Sequence, residues 1–174
     1  STKVKSLRAA LADFDDNEYD IALVLDADNM LQDDFLLEIN DKFNNGCRAI
    51  QGRRVAKNKN TSFAILDGVS EHINNHIHRK GPSALGISAN VIGSGMAFDF
   101  KLFKEVIGIN QAVGGFDRQL QLNVVERKVK IEYLHEALIY DEKVDNASHF
   151  SAQRRRWISS QLYYLRKNFF RGVN

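Results

Sequence analysis

The chain has 174 residues, 44% of them apolar and 26% charged, and 24 basic residues against 22 acidic ones leave a net charge of +2. That length can bury a core, and those proportions describe a folded domain rather than a disordered chain. The near balance of charge speaks against a partner held by phosphate contacts alone, no apolar run approaches the ~18–20 residues of a membrane span, and a single cysteine, Cys47, excludes an internal disulfide.

Residues 4–14 place Val4, Leu7, Leu11 and Phe14 at helical spacing and predict an amphipathic helix. Residues 21–25 are continuously apolar, too short for a helix, and read as a strand covered on both faces, central in a parallel sheet. Residues 33–45 return to helical spacing through Phe35, Leu36, Ile39 and Phe43, and Gly46 ends the helix. A strand follows over 49–55. A long helix is predicted over 61–79, with Phe63, Ile65, Leu66, Val69, Ile73 and Ile77 as its apolar positions. Residues 81–90 form a Gly/Ser/Pro loop, and 91–100 a strand interrupted by Gly93 and Gly95. A short helix over 101–106, a turn at Gly114-Gly115 and a helix over 116–127 come next. Short strands at 129–134 and 137–140 and a last helix over 148–170 complete the chain. Helices alternating with short apolar strands predict an α/β sandwich. A nucleotide-binding α/β domain opens with βαβ units of ~30 residues. Here a helix comes first, so residues 1–174 are expected to form one domain that is part of a larger one, without its first strands.

Asp26 and Asp28 follow the first apolar run, where ligands of α/β sheets bind. Alternation turns both the same way, and two such carboxylates can share a hard divalent cation. The plainer reading is loop and helix capping around Asp33 and Asp34. In Q-R-R-R-W, helical spacing projects Gln153, Arg156 and Trp157 together and sends Arg154 and Arg155 elsewhere. An amide, a guanidinium and an indole on one patch suit a sugar diphosphate, because arginine grips phosphate oxygens in pairs. The plainer reading is a solvated basic stripe beside a core tryptophan. Beyond it, Ile158, Leu162, Leu165 and Phe169 share a side, with Arg166, Lys167 and Arg171 elsewhere. That pattern fits an anionic membrane surface or the domain's own core. Gly93-Ser94-Gly95 lets a ligand approach the backbone, or forms a simple bulge. His72 and His76 are four apart, a chelating interval, but no accompanying carboxylate motif makes them more than a polar face; His149 precedes Gln153 by one turn.

D-A-D-N at 26–29, G-S-G-M-A-F at 93–98 and Q-R-R-R-W at 153–157, in this order, resemble the signature of processive, membrane-associated family-2 glycosyltransferases, the group of cellulose, chitin and hyaluronan synthases. The chain is similar to the C-terminal part of such a catalytic domain. The resemblance implies a partial nucleotide-diphospho-sugar transferase fold, a GT-A-like sandwich with a mainly parallel or mixed sheet flanked by helices. It implies inverting, metal-dependent transfer of a hexose or N-acetylhexosamine from a nucleotide diphosphate sugar, a UDP-sugar, to a hydroxyl of a saccharide or lipid-linked acceptor. The parent protein would work in the cytoplasm, at the inner face of the cell membrane, with Mn or Mg as its divalent cation. Carried onto this chain, Asp26 faces the nucleotide, Asp28 is the metal ligand, Gln153 and Arg156 hold the diphosphate, and Gly93, Ser94, Gly95 and Trp157 border the acceptor.

The family's catalytic carboxylate falls on Gln119, in G-G-F-D-R-Q-L-Q-L. An amide cannot take a proton from an acceptor hydroxyl. Gln119 is expected on the acceptor side of the cleft near Gly95, and Asp117 is either a substitute base or the cap of its helix. Gln119 therefore also supports a second reading, a non-catalytic nucleotide-sugar-binding or scaffold domain. A third, a nucleic-acid binder using Arg53-Arg54 and Arg154 to Arg156, lacks any recognisable motif, and no nucleic-acid partner is expected.

Overall fold

A computed structural model of the chain describes residues 2–112 and 114–168. The elements in order are α1 (Thr2–Ala12), β1 (Ile21–Val24), β2 (Met30–Leu31), α2 (Phe35–Asn44), β3 (Ala49–Ala56) and α3 (Ser62–Asn75). A π-helix (His76–Lys80) prolongs α3 and leads into α4 (Gly81–Ala84). Then come β4 (Met96–Asp99), α5 (Phe100–Gly108), α6 (Phe116–Glu126), β5 (Glu132–Asp141) and α7 (Ala147–Asn168). Phe169, Phe170 and Arg171, expected to continue the last helix, lie outside the described residues.

The five strands form one mixed sheet in the order β1-β4-β3-β5-β2. Only β3 and β5 run parallel; β1 with β4, β3 with β4 and β2 with β5 are antiparallel. Alternation along the strands divides the core in two. Ala49, Met96 and Phe98 point to one face, where α5 and α6 bring Leu102, Phe103, Val106, Ile107, Leu120 and Val124, and α1 adds Val4. Ile50, Ala97 and Ile139 point to the other face, which α2 covers with Phe35 and Ile39. The sheet thus lies between helices, the α/β sandwich that the alternation of patterns predicts.

Three strands depart from their expected form, and residues 81–84, expected in a loop, are the helix α4. β1 is not central: its only strand partner among the described residues is β4, and Ile21, Ala22 and Leu23 are half-buried. An uninterrupted apolar run therefore marked an edge of the described sheet. β5 is one strand rather than two, because its pairing slips from Gly52↔Leu134 to Arg53↔Leu138. The slip leaves His135, Glu136 and Ala137 without a register partner on β3 and mimics a break in the sequence pattern. The strand expected from 91 starts only at Met96, since Gly93 and Gly95 adopt φ of 82° and 64°.

Helix α3 is inverted. Thr61 caps it, its hydroxyl accepting from the Ala64 N–H at 3.1 Å. Its buried positions include Asp67, Glu71 and Asn75, one turn apart, while Ile65, Leu66, Val69 and Ile73 are exposed. The polar face is the one that packs on β3, and this decides where the site lies.

Candidate active site

A cleft of about 880 Å³ opens between the ends of β1 and β3, the inner face of α3, the start of α6 and α7. The D-A-D-N segment is a tight turn beyond β1, closed by the Asn29 N–H donating to the Asp26 carbonyl at 3.1 Å. Asp26 and Asp28 both line the cleft. Asp28 is exposed, and its Oδ1 accepts from the Asn29 amide at 3.3 Å. Asp26 is ion-paired with Lys3 of α1, whose ammonium also donates to the Gly93 carbonyl at 3.0 Å.

From α7, Gln153, Arg156 and Trp157 line the same cleft, as their spacing on a helix requires. Arg154 points away to Asp67 of α3, donating at 2.7 Å, and its guanidinium lies over the Phe150 and Trp157 rings. Arg155 is exposed. Tyr164 anchors α7 by donating from its hydroxyl to the Gly114 carbonyl at 3.1 Å. The contact fits only because residue 115 is glycine: a Cβ there would meet the Ser160 hydroxyl at 2.0 Å. This contact brings the α7 patch over the start of α6, where Asp117 and Arg118 enter the cleft. The residue that caps α6 is Gly115, in the left-handed conformation, and no side chain caps it. Asp117 is thus not the helix cap, and its carboxylate is free to face the cleft.

Gln119 is not among the residues lining the cleft. It lies two residues further round α6, and its amide donates to Asn123 Oδ1 at 3.0 Å. Asn123 in turn donates to the Val106 carbonyl of α5 at 3.1 Å. Gln119, expected to point into the cleft near Gly95, is turned away from it, whereas Asp117, two residues earlier on α6, lines it. Ser94 and Gly95 do not line the cleft either. Ser94 is fully buried; its hydroxyl accepts from the Asp26 N–H at 2.9 Å and donates to Asn29 Oδ1, so it braces the D-A-D-N turn. Gly95 faces the core, where an added Cβ would stand 2.3 Å from Ile139 Cδ1. Gly93 does line the cleft, and a Cβ there would lie 3.9 Å from the Asp117 Cβ. His72 and His76 are exposed with ring centroids 5.0 Å apart, and His149 bonds Asn146 outside the cleft.

The cleft floor is a buried charge network that the motifs did not reveal. Glu71 accepts from Arg54 Nη2 at 2.6 Å, from Arg79 Nη1 at 2.8 Å and from Lys143 Nζ at 3.4 Å. Lys143 also pairs with Asp141 at 2.7 Å. Asp141 accepts from the Asn29 amide at 3.1 Å, which ties the network to the D-A-D-N turn. Burial alone would raise the Glu71 carboxyl, but Arg54, Lys143 and Arg79 outweigh it and hold it at about 2. Desolvation lowers the Arg79 guanidinium, partly offset by Glu71. The spacing of Asp67, Glu71 and Asn75 on α3 carries the signal, because it marks a polar face opposite an apolar one. Arg54 is consumed in this network and Arg154 by Asp67, so the arginines suspected of nucleic-acid binding do not form one basic face.

Asp28 supplies a single free carboxylate. That suits a cation that takes its remaining ligands from a diphosphate and water. Among the described residues no three His, Cys, Asp or Glu side chains converge to enclose a metal by themselves. Among the described residues no helix is long and apolar enough to cross a membrane.

No curated protein matches the sequence. The family described as "Glycosyl transferase family group 2" matches residues 21–173, which takes in the D-A-D-N turn, the glycine segment, Asp117 and the α7 patch. The chain belongs to this glycosyltransferase family.

Proposed function

We propose that the cleft binds a UDP-sugar and that the parent protein transfers its hexose or N-acetylhexosamine, with inversion, to a hydroxyl of a saccharide or lipid-linked acceptor. One observation carries the reading: Asp26 and Asp28, Asp117, and Gln153, Arg156 and Trp157 come from three distant segments and line one cleft. Arg156 has no carboxylate partner among the described residues and is the group to grip diphosphate oxygens. Gln153 brings an amide beside it, and Trp157 an aromatic face for the acceptor sugar. Asp28 would hold Mn or Mg, which when bound helps neutralise the departing diphosphate. Asp117 is the group to accept the acceptor's hydroxyl proton. The acceptor oxygen forms the new bond to the anomeric carbon as the bond to the diphosphate breaks. The electron pair leaves on the diphosphate, and the proton passes to Asp117.

A processive enzyme working at the cytoplasmic face of a membrane is the parent we infer, on the resemblance of its three motifs. The second reading, a domain that binds nucleotide sugars without transfer, loses the support of Gln119, because Asp117 stands in the cleft. Labelled UDP-sugars offered with manganese and simple saccharide acceptors test the proposal. Transfer, or slow sugar release to water, that disappears in Asp117→Asn while nucleotide binding persists supports it. Binding without turnover in both proteins would favour the second reading.

A further inference from the structure

Two basic side chains of the cleft have no part in the transfer chemistry above. Arg118 follows Asp117 on α6, and His78 stands on the π-helix; both line the cleft. Neither has a carboxylate within ion-pair reach among the described residues. That sets Arg118 apart from its neighbours: Arg54 and Arg79 are paired with Glu71, and Arg154 with Asp67. A half-buried guanidinium holds five donors in a fixed fork and, unpaired, presents them to whatever enters.

The two groups come from different walls. On α3 and its π-helical extension, Asn74 and His78 are four residues apart and both line the cleft. The π-helix is tied to the segment before Gly93, the His78 carbonyl accepting from the Asn90 N–H at 3.0 Å. On α6, the left-handed Gly115 starts the helix so that Asp117 and Arg118 enter the cleft together. The charge of Arg118 is felt at His78: burial first, then Arg118 and Arg79, hold the imidazole below its usual range, and no carboxylate offsets them. An anion between the two walls would meet a bidentate fork from α6 and an imidazole N–H from the π-helix, with the Asn74 amide beside it. Asp28 and Arg156, which serve the donor's diphosphate, stand on other segments, the D-A-D-N turn and α7. Arg118 adjoins Asp117, the group that takes the acceptor's proton, so an anion in its fork belongs to the acceptor.

We infer that Arg118 and His78 form a subsite for an anionic group, a carboxylate or a phosphate, carried by the acceptor beside the hydroxyl it offers. The acceptor is then an acidic sugar or a sugar phosphate rather than a neutral one. This deepens the transferase reading of the same cleft and rests on it.

Trp157 is the chain's single tryptophan and lines the cleft, so its fluorescence reports occupancy. Glucuronate, glucose 6-phosphate and glucose are titrated into the 174-residue chain saturated with uridine diphosphate and manganese. At least one anionic sugar should bind about 10-fold or more tighter than glucose, and whichever binds tighter names the anion. Raised salt should narrow the gap. Arg118→Gln should remove the preference with uridine diphosphate affinity unchanged, Arg118→Lys should keep part of it, and His78→Gln should lessen it. Circular dichroism should show all three variants folded. Equal binding of the three sugars, binding of none, or a preference that survives in Arg118→Gln would overturn the inference and leave the nucleotide reading standing. Loss of uridine diphosphate affinity in Arg118→Gln would place Arg118 on the donor and also overturn it. Failure of the unaltered chain to bind uridine diphosphate with manganese would refute the cleft reading first, and this inference with it.

Discussion

Replacing Glu71 with glutamine removes the carboxylate on which Arg54, Arg79 and Lys143 converge. The amide still offers one acceptor oxygen, yet three cations at the cleft floor lose their shared counter-charge. Removing one partner of a buried ion pair costs ~3–5 kcal/mol. Linkage gives an independent figure. The carboxyl is held at about 2 against an ordinary 4.5, and at 1.36 kcal/mol per pH unit that gap is on the order of 3 kcal/mol. The folded value lies below the unfolded one. The stabilisation is therefore fully present above about pH 4.5 and drains away as pH falls towards 2. Urea unfolding of the two proteins at pH 6 and pH 3 reads this directly. The gap between them should be roughly 3 kcal/mol at the higher pH and roughly half that or less at the lower. A gap of equal size at both pH values would refute the charge argument, and no gap at all would mean that Glu71 is not the hub.

Gly95→Ala should destabilise the fold by ~1–3 kcal/mol or prevent it, because the methyl meets Ile139; urea midpoints check this. Asp117→Asn should lower turnover by ~10²–10⁴-fold with nucleotide affinity unchanged, as steady-state kinetics and calorimetry would show together. Gln119→Glu should not raise turnover, since Gln119 is outside the cleft; it should cost about 1 kcal/mol through the lost bond to Asn123. Ser94→Ala should loosen the D-A-D-N turn by removing the acceptor of the Asp26 N–H, visible as weaker metal-dependent nucleotide binding with little change in unfolding midpoint.

Period and end signals placed the helices to within a few residues, because α2, α5 and α6 each bury an apolar face against the sheet. The D-A-D-N turn and the α7 patch were legible for the same kind of reason: each is a short local geometry in which spacing alone decides what shares a face. What escaped depends on contacts between segments. β1 read as central because apolar continuity says nothing of how many neighbours a strand has. The 135–136 break in β5 was a register slip set by β3. The stripe of α3 read as a helix but faces outward, since Arg54 and Lys143, from β3 and the segment after β5, dictate which side is buried. At Gln119 the alignment of a motif was followed without its rotation. Two residues on α6 correspond to about 200°, which is the difference between the cleft and the Asn123 contact.

The central claim is that this cleft holds a nucleoside diphosphate through Asp28 and Arg156. Calorimetric titration of uridine diphosphate into the chain, with and without manganese, tests it most directly. The account predicts saturable one-site binding that requires the metal, is abolished in Asp28→Ala and is weakened at least about 10-fold in Arg156→Ala. Manganese-dependent binding of unchanged affinity in Asp28→Ala would contradict it.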